Sequence, residues 1–245
     1  MRTFSLLALI SLLQVAHAQD KGPNFTEPGK FYSSASGEWI FSVPLLDVNG
    51  SENGAVVRFS PFFNAQWMLN YDLSSHVGLY TGLDIRNQGF IYQTQDSTNT
   101  RYKYRTYNVG IPIGFKLGHM NQTLFFAGYE VELPFNYKEK RFENERKVDK
   151  FNVWFSDRNS PVYQSVFAGI QGPDGVTLTV RYYLTNFHNE DFTETVTNNG
   201  VTTNQQPYKG MKVNILAFSL GYSLFDGRMV KRSSAKATHD IQSMR

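Results

Sequence analysis

Eight stretches of this sequence alternate apolar and polar residues, and the segments that join them alternate between short and long. The third stretch shows the period of two most clearly, with Val77, Leu79, Thr81, Leu83 and Ile85 on one face. Such a period is the signature of a β-strand. A barrel that crosses a bilayer produces both alternations, because lipid contacts every second residue and tight turns at one rim face long loops at the other. The sequence therefore predicts an all-β fold: an eight-stranded, antiparallel, up-and-down transmembrane β-barrel.

The same periodicity assigns the strands and their connections. The predicted strands cover about residues 38–46, 57–69, 77–86, 107–117, 125–137, 162–171, 176–184 and 216–224. Turns rich in Gly, Asp, Asn and Ser are predicted at residues 72–76, 118–122 and 172–175. Longer loops are predicted at residues 47–54, 93–100, 139–161 and 188–208. With an even strand number and turns after strands two, four and six, both ends of the barrel are expected on the short-turn side.

Four prolines fall inside the predicted strands: Pro44, Pro61, Pro112 and Pro134. Proline cannot donate a hydrogen bond to a neighbouring strand, and within sheets it is confined to edges and bulges. Every strand of a barrel is paired on both sides, so we expect a local irregularity at each of the four positions.

Aromatic residues near the strand ends predict two belts on the outer face, since Trp and Tyr collect at membrane–water interfaces. The belt on the turn side is expected to contain Trp67, Tyr71, Phe125 and Tyr222. The belt on the loop side is expected to contain Tyr107, Phe135 and Tyr137. Their place at segment ends on one face favours belts over ordinary core positions.

The two ends of the chain are predicted to lie outside the barrel. A basic start, an apolar run over residues 4–13 and the sequence Ala16-His17-Ala18 match a cleavable export signal. The apolar run is too short to span a bilayer as a helix. The expected division is a signal peptide (1–18), a periplasmic N-terminal segment (19–36), the barrel (37–225) and a basic periplasmic tail (226–245).

Composition excludes several classes of function. The chain has no cysteine, which removes a lipoprotein anchor, disulfides and thiolate chemistry. It has 24 lysine and arginine residues against 21 aspartate and glutamate residues, and a net charge of +3 is too small to indicate nucleic-acid binding. No spaced set of metal ligands and no glycine-rich phosphate loop occurs, so we expect neither a metal nor a cofactor.

The inward face of the predicted barrel carries seven charged residues. They are Arg58, Asp84, Arg86, Lys116, Glu130, Glu132 and Arg181. An eight-stranded barrel is just wide enough for its own side chains to fill. Buried charges are costly unless they are paired, so these residues predict a charge network that plugs the lumen. A path for an ion or a solute is the alternative interpretation.

Catalysis at a barrel rim would need a histidine near a nucleophile or a carboxylate. Only His188, beside Glu190 and Asp191, is predicted to lie at the loop-side rim. This set can form a base–acid pair or a weak metal site, but a single histidine in a polar loop is more often simply solvated. We therefore expect no enzymatic activity.

The segment 139–161 interleaves basic and acidic residues and then contains a hydrophobic cluster, Phe151, Val153, Trp154 and Phe155. Exposed aromatic clusters mark interaction sites. The segment is predicted either to dock a partner or cover the barrel mouth through this cluster, or to extend strands five and six above the membrane.

Three segments carry a resemblance to a known group of proteins. They are Gly78-Leu79-Tyr80-Thr81-Gly82-Leu83, Val109-Gly110-Ile111-Pro112-Ile113-Gly114-Phe115-Lys116 and Ala127-Gly128-Tyr129-Glu130-Val131. With these segments the chain resembles the PorT-like outer-membrane barrels of Bacteroidetes-type bacteria over residues 37–225. The resemblance implies an eight-stranded barrel inserted by the outer-membrane assembly machinery, which recognises a last strand ending in an aromatic residue such as Phe225. It implies little about function.

These observations predict a non-catalytic barrel in the outer membrane of a Gram-negative bacterium. Its partners are expected to be outer-membrane lipids, the assembly machinery and an unidentified protein at the extracellular loops, and the chain is expected to be a monomer. Its role would be in envelope integrity, adhesion or surface interaction. Two other classes stay open: a soluble lipocalin-like barrel with its apolar face inward, and a lipid-modifying enzyme with its site at the rim.

Overall fold

The computed structural model of the chain is built almost entirely of β-strands. It describes residues 30–48, 50, 54–94, 99–120, 122–198 and 201–226. The strands are β1 (Lys30–Val48), β2 (Ala55–Val56), β3 (Arg58–Ser60), β4 (Ala65–Asp72), β5 (Val77–Gln93), β6 (Arg101–Gly118), β7 (Leu124–Glu143), β8 (Arg146–Trp154), β9 (Tyr163–Gln171), β10 (Val176–Tyr183), β11 (Glu194–Asn198), β12 (Val201–Gln205) and β13 (Met211–Asp226). Within these residues, no helix is long and apolar enough to cross a membrane.

Eight positions form a closed ring in the order β13-β10-β9-β7-β6-β5-β4-β1, and β1 pairs again with β13. Every pairing is antiparallel. The ring position between β1 and β5 is occupied by β2, β3 and β4 in turn. On the other side of β7, β8 and then β9 pair with it. The strands β11 and β12 form a separate hairpin. The predicted eight-stranded antiparallel barrel is confirmed.

The outer surface of the ring is apolar and the inner surface is polar. Along β6, the side chains of Val109, Ile111, Ile113, Phe115 and Leu117 are exposed, whereas the residues between them are buried in the lumen. From Tyr107 to Leu117 this apolar stripe is about 33 Å long, which at a strand tilt of about 40° gives a band about 25 Å tall. That height matches the apolar band of a transmembrane barrel. A lipocalin-like barrel would have this face inward, so the structure contradicts that alternative.

The connections follow the predicted alternation of short and long. The turns after β4, β6 and β9 fall at the predicted positions, and the amide of Gly172 donates to the carbonyl of Val176 at 2.8 Å. In this turn Gly175 has φ 79°, a left-handed conformation that glycine adopts without strain. The predicted loop 139–161 is instead mainly a hairpin, because β7 and β8 pair up to a turn at Asn144 and Glu145. The extension of strands five and six is thus what the structure shows.

Three of the four prolines coincide with an irregularity. The strand stops at Pro61 and resumes at Ala65. The β5–β6 register is interrupted beside Pro112, and the β6–β7 register shifts next to Pro134. Pro44 differs, since β1 continues past it in unbroken register with β13. Pro44 lies just beyond Ser42, the last residue of β1 that pairs with β3, so no ladder on that side is lost.

The predicted loop-side belt is wrong at Tyr137, because β7 has a bulge beside Pro134. Asn108 pairs with Pro134 and Tyr107 with Asn136, so Phe135 is an extra residue in β7. The extra residue reverses the alternation, and Tyr137 is therefore fully buried rather than facing lipid. Trp154 takes its place in the belt, stacked on Phe135 with ring centroids 5.8 Å apart.

The first strand begins earlier than expected. Residues 30–36, which were assigned to a periplasmic segment, belong to β1 and pair with β4 from Lys30↔Asp72 to Ser36↔Gln66. The predicted boundary at residue 37 is wrong because Ser33, Ser34 and Ser36 weaken the apolar pattern there. The signal peptide and the tail beyond residue 226 lie outside the described residues.

The apolar band makes a prediction for Ile113→Lys, a charge in the middle of the outer face, where Ile113 is 65% exposed. We expect the barrel in lipid vesicles to lose about 2–4 kcal/mol of unfolding free energy, the cost of a basic side chain at the bilayer midplane. Urea unfolding in vesicles measures it. The control is Val148→Lys, exposed on the β8 hairpin, which should cost less than about 1 kcal/mol. Equal effects of both substitutions would contradict the membrane band.

Candidate functional site

Six charged side chains meet inside the barrel at mid-height, and we call them the luminal charge network. They are Glu38, Asp84, Arg86, Glu130, Glu132 and Arg181. The guanidinium of Arg86 contacts all four carboxylates, with Nη2 2.7 Å from Asp84 Oδ2 and Nε 3.4 Å from Glu132 Oε1. Arg181 Nη1 lies 2.6 Å from Glu130 Oε2 and donates to Ser165 Oγ at 2.7 Å. All six side chains are buried, so the network crosses the lumen.

Glu38 is a member of the network but is not among the seven predicted lumen charges. It forms an ion pair with Arg86. The alternation along β1 could have identified it, because Trp39 and Phe41 face outward and Glu38 must then face inward. Including Glu38, four carboxyl groups face two guanidinium groups, so acidic groups are in excess.

Two of the predicted lumen charges lie outside this network. Lys116 is near the turn side, where its Nζ lies 2.8 Å from Asp72 Oδ1 and 3.2 Å from Asn70 Oδ1. Arg58 is near the loop side and donates to the carbonyl and the side-chain oxygen of Asn87. The predicted set of seven is therefore separated into a central network and two outlying cations.

Above the network, a cluster of contacting rings closes the loop end of the lumen, and we call it the aromatic cap. It consists of Phe90, Tyr104, Tyr137, Phe187, His188 and Tyr208. Each of these residues is at most 4% exposed. The hydroxyl of Tyr183 donates to Glu132 Oε1 at 2.8 Å and so connects the network to the residues beneath the cap.

His188 belongs to the cap and not to a solvent-exposed rim site. Its ring stacks on Tyr208 with centroids 4.0 Å apart and lies edge-on to Tyr104. Neither ring nitrogen makes a hydrogen bond of good geometry in the described chain, and no ion pair joins His188 to Glu190 or Asp191. Burial removes water from the ring and lowers the pKa of His188 to about 3, although the main-chain carbonyl of Arg158 partly opposes this.

Polar contacts hold the loop that carries His188 in place. The hydroxyl of Tyr208 accepts from Arg158 Nη1 at 3.2 Å and donates to Glu139 Oε2 at 3.1 Å. Arg158 also forms an ion pair with Glu194 at the start of β11. These contacts join the β11–β12 hairpin to β7, and they fix the cap in its closed position.

The four residues of the predicted interaction cluster do not share one surface. Phe151 and Val153 face the cap side, where Phe151 approaches the ring of Tyr137 and Val153 packs against the buried core. Trp154 and Phe155 face outward, and both are largely exposed. Alternation along β8 places Phe151 and Val153 on one face and Trp154 on the other, since residues two apart share a face. Phe155 follows the last residue of β8 with φ 52° and does not continue the alternation. Trp154 lies in the outer aromatic belt and Phe155 follows it.

In the described residues, no group of three or more His, Asp or Glu side chains is arranged to hold a metal ion. Among the described residues, two voids that line the lumen are small, about 100 Å³ on the turn side and about 10 Å³ beside Arg86 and Arg181. The larger void has room for a few water molecules. It does not approach the size of an ordinary small-molecule site.

Some solved structures are similar in fold to this chain, but their sequences share little with it. No family model matches the chain, and no curated protein sequence matches it. Ail of Yersinia pestis is 12% identical, with 81% of this chain and 100% of that chain covered and a TM-score of 0.34. OprG of Pseudomonas aeruginosa is 10% identical, with 83% and 99% covered and a TM-score of 0.40. The protease OmpT of Escherichia coli is 11% identical, with 83% and 99% covered and a TM-score of 0.32.

OprG and OmpT are described as outer-membrane proteins, and Ail as an attachment invasion locus protein. With every TM-score below 0.5, the class of this protein is decided by its own strand ring, apolar exterior and filled interior. By those features it is a small eight-stranded transmembrane β-barrel whose lumen is closed by side chains.

Removal of one arginine tests the luminal charge network. Arg181→Met leaves Glu130 with one cationic partner, and we expect a loss of about 3–5 kcal/mol of unfolding free energy in vesicles. Combining it with Glu130→Leu should recover part of that loss, because the unpaired buried charge is removed with its partner. Lys212→Met, an exposed position on β13, is the control and should change little. A loss of unfolding free energy no larger than that of the control would show that these charges are hydrated and do not plug the lumen.

The aromatic cap gives a pH prediction. The pKa of His188 is lower in the folded state than in the unfolded state, so the unfolded state binds the proton preferentially and stability falls as pH drops below about 6.5. Between pH 7 and pH 5 the cap should lose about 2 kcal/mol, measured by amide hydrogen exchange of residues 184–192. His188→Phe should abolish this dependence, whereas His76→Phe in an exposed turn should not. An unchanged pH dependence in His188→Phe would show that His188 does not cause the loss of cap stability at low pH.

Proposed function

We propose that this protein is a non-catalytic barrel of the outer membrane of a Gram-negative bacterium, with a plugged lumen, that acts in envelope integrity or in surface interaction through its extracellular hairpins. The observation that carries the proposal is the filling of the lumen at two levels. Fixed side chains occupy mid-height and the loop end, so the parts that remain available to other molecules lie on the outside.

The proposed location is supported by the apolar band and its belts. Phe125 and Tyr222 face outward near the turns, and Tyr107, Phe135 and Trp154 lie near the loops. Trp67 also faces outward, but it lies as far from the end of β4 as the mid-band Ile113 lies from the end of β6. Two aromatic belts that flank an apolar band are the arrangement of outer-membrane barrels. The export signal expected at residues 1–18 agrees with this location. Membership of the PorT-like group and insertion by the assembly machinery belong to the same proposal.

The closed lumen argues against solute transport. The network groups contact each other directly, and the cap residues above them are at most 4% exposed and contact one another. Moving a solute through would require breaking several buried ion pairs at once, each of which is costly to disrupt. The protein is therefore proposed to be a structural element and not a channel.

The absence of catalysis is supported by the state of His188. A general base must be within hydrogen-bond reach of its substrate and must be able to take up a proton near neutral pH. His188 is 1% exposed and its pKa is about 3, so it meets neither condition. His76 and His119 lie at the opposite rim, where their rings contact each other at 4.6 Å.

The extracellular surface is dominated by the hairpin of β7 and β8. Residues 138–150 extend beyond the belt and carry six basic side chains (Lys138, Lys140, Arg141, Arg146, Lys147 and Lys150) against four acidic ones (Glu139, Glu143, Glu145 and Asp149). A hairpin with a net positive charge suits a partner with acidic groups. The barrel needs no second copy to close its ring, and a monomer is proposed.

Conductance measurement tests the plugged lumen. Purified barrel inserted into a planar bilayer should show no steady ion current. Replacing residues 188–210 with a short Gly-Ser turn removes part of the cap but leaves the network, and should also show no current. The same loop replacement combined with Glu130→Ala/Arg181→Ala/Arg86→Ala, folded as judged by its mobility on unboiled gels, should conduct, because both levels of the plug are then weakened. Steady openings of the unaltered barrel would overturn the proposal.

A further inference from the structure

The wall of the barrel opens on its outer side where β3 separates from β5. β4 pairs with β5 up to Ala65↔Ile85, and β2 pairs with it again from Val56↔Ile91. Between these points β3 pairs with β1 alone. The gap leads into a crevice of about 500 Å³, which we call the seam crevice. It is lined by Arg58, Phe59, Phe62, Phe63, Lys103, Arg105, Tyr107, Lys138 and Lys140, among others.

The floor of the seam crevice contains a buried cation without a counter-ion. Arg58 is 8% exposed, and its only hydrogen bonds in the described chain go to Asn87. No carboxylate of the described residues forms an ion pair with it, and the charged side chain with the largest electrostatic effect on it, Arg105, is also basic. A buried guanidinium without an anion is unfavourable, so this position favours an external anion.

The rim of the crevice concentrates positive charge. Lys103 lies directly opposite Lys140 across β6 and β7, and Arg105 lies opposite Lys138. Lys140 is in turn opposite Lys150 on β8. Like charges directly opposite each other on neighbouring strands are destabilising, and none of these five residues forms an ion pair within the described chain. A bound anion would remove this repulsion.

The membrane-facing side of the crevice is apolar. Phe59, Phe62 and Phe63 are each more than half exposed. Phe63 has φ 62°, a strained conformation for a residue that is not glycine, and its ring packs edge-on against Tyr107 at 5.6 Å. Asn64 fixes the strained turn, since Nδ2 donates to the Ser60 carbonyl at 2.9 Å and Oδ1 accepts from the amide of Asn87 at 2.8 Å.

The height of these groups matches the headgroup layer of a bilayer. Tyr107 belongs to the loop-side aromatic belt, and Arg105 and Lys103 lie about 7 Å and about 14 Å further along β6. Belt residues lie at the boundary between acyl chains and headgroups. The basic groups are therefore at the level of lipid phosphates, while the phenylalanines are at the level of the acyl chains.

We propose that the seam crevice binds a phosphorylated lipid of the outer leaflet. Its phosphate would lie among Lys103, Arg105, Lys140 and the deeper Arg58, and an acyl chain would lie along Phe59, Phe62 and Phe63. The inference rests on the proposed location in the outer membrane but not on the plugged lumen. A free phosphate ion or a neutral lipid would satisfy only one of the two halves of the crevice.

Thermal unfolding in a neutral detergent tests the proposal. Lipid A, a glycolipid with two phosphates, should raise the Tm of the folded barrel in a saturable manner. Lys103→Gln/Lys140→Gln should weaken the apparent binding by at least about tenfold. Without lipid, this variant should be at least as stable as the unaltered barrel, because the repulsion is gone. Arg146→Gln/Lys147→Gln, which removes two charges at the hairpin tip, is the matched control and should respond to lipid A like the unaltered barrel.

Three results would overturn the proposal. One is a normal response of Lys103→Gln/Lys140→Gln to lipid A. Another is an equal Tm shift with lipid A from which both phosphates have been removed, which would mean apolar binding alone. The third is an equal shift with the same concentration of inorganic phosphate, which would mean a free-anion site. A conducting barrel that still binds lipid A would contradict the plugged lumen and leave this site intact.

Discussion

The pairing of β1 with β13 is the interaction on which the rest of the structure depends. A bilayer offers no water to the main chain, so each amide and carbonyl at membrane depth must find a partner in the protein. Closure of the ring meets this need and removes both sheet edges. Where the ring is interrupted, between β3 and β5, the side chains of Asn64 and Asn87 take over as hydrogen-bonding partners. The wall can therefore open at this seam without leaving the main chain unsatisfied.

Closure with eight strands also determines the interior. The ring is too narrow for a water-filled channel, so inward residues must pack and neutralise one another. Arg86 and Arg181 form ion pairs with the four carboxyl groups, while Gly110 leaves room for Asp84 and Glu130. A side chain at Gly110 would meet Asp84 Oδ1 at 2.4 Å and Glu130 Oε1 at 2.5 Å. The charged side chains of the interior therefore fit only because glycines on the inner face leave space for them.

Much of the fold could be predicted from the sequence, because a period of two directly reports which side a residue faces. The inward positions of Asp84, Glu130 and Arg181 follow from it. Errors occur where the period is broken. The extra residue at Phe135 reverses the alternation and takes Tyr137 into the cap, and serine-rich residues conceal the start of β1.

The site was less predictable than the fold because it depends on contacts distant in the sequence. His188 reads as a polar loop residue, yet its environment is made by Tyr104, Tyr137 and Tyr208. Arg58 faces inward as predicted, but it contacts Asn87 rather than a carboxylate, and it lines both the small luminal void and the seam crevice. Neither environment leaves a local signal in the sequence.

The central claim is that this chain is a closed barrel embedded in a membrane. The most direct measurement is the gel mobility of protein extracted with detergent from an outer-membrane fraction, with and without boiling. A closed barrel resists unfolding by the gel detergent at room temperature, so the account predicts a mobility shift on boiling. Protein recovered in the soluble fraction without detergent, with the same mobility before and after boiling, would contradict it.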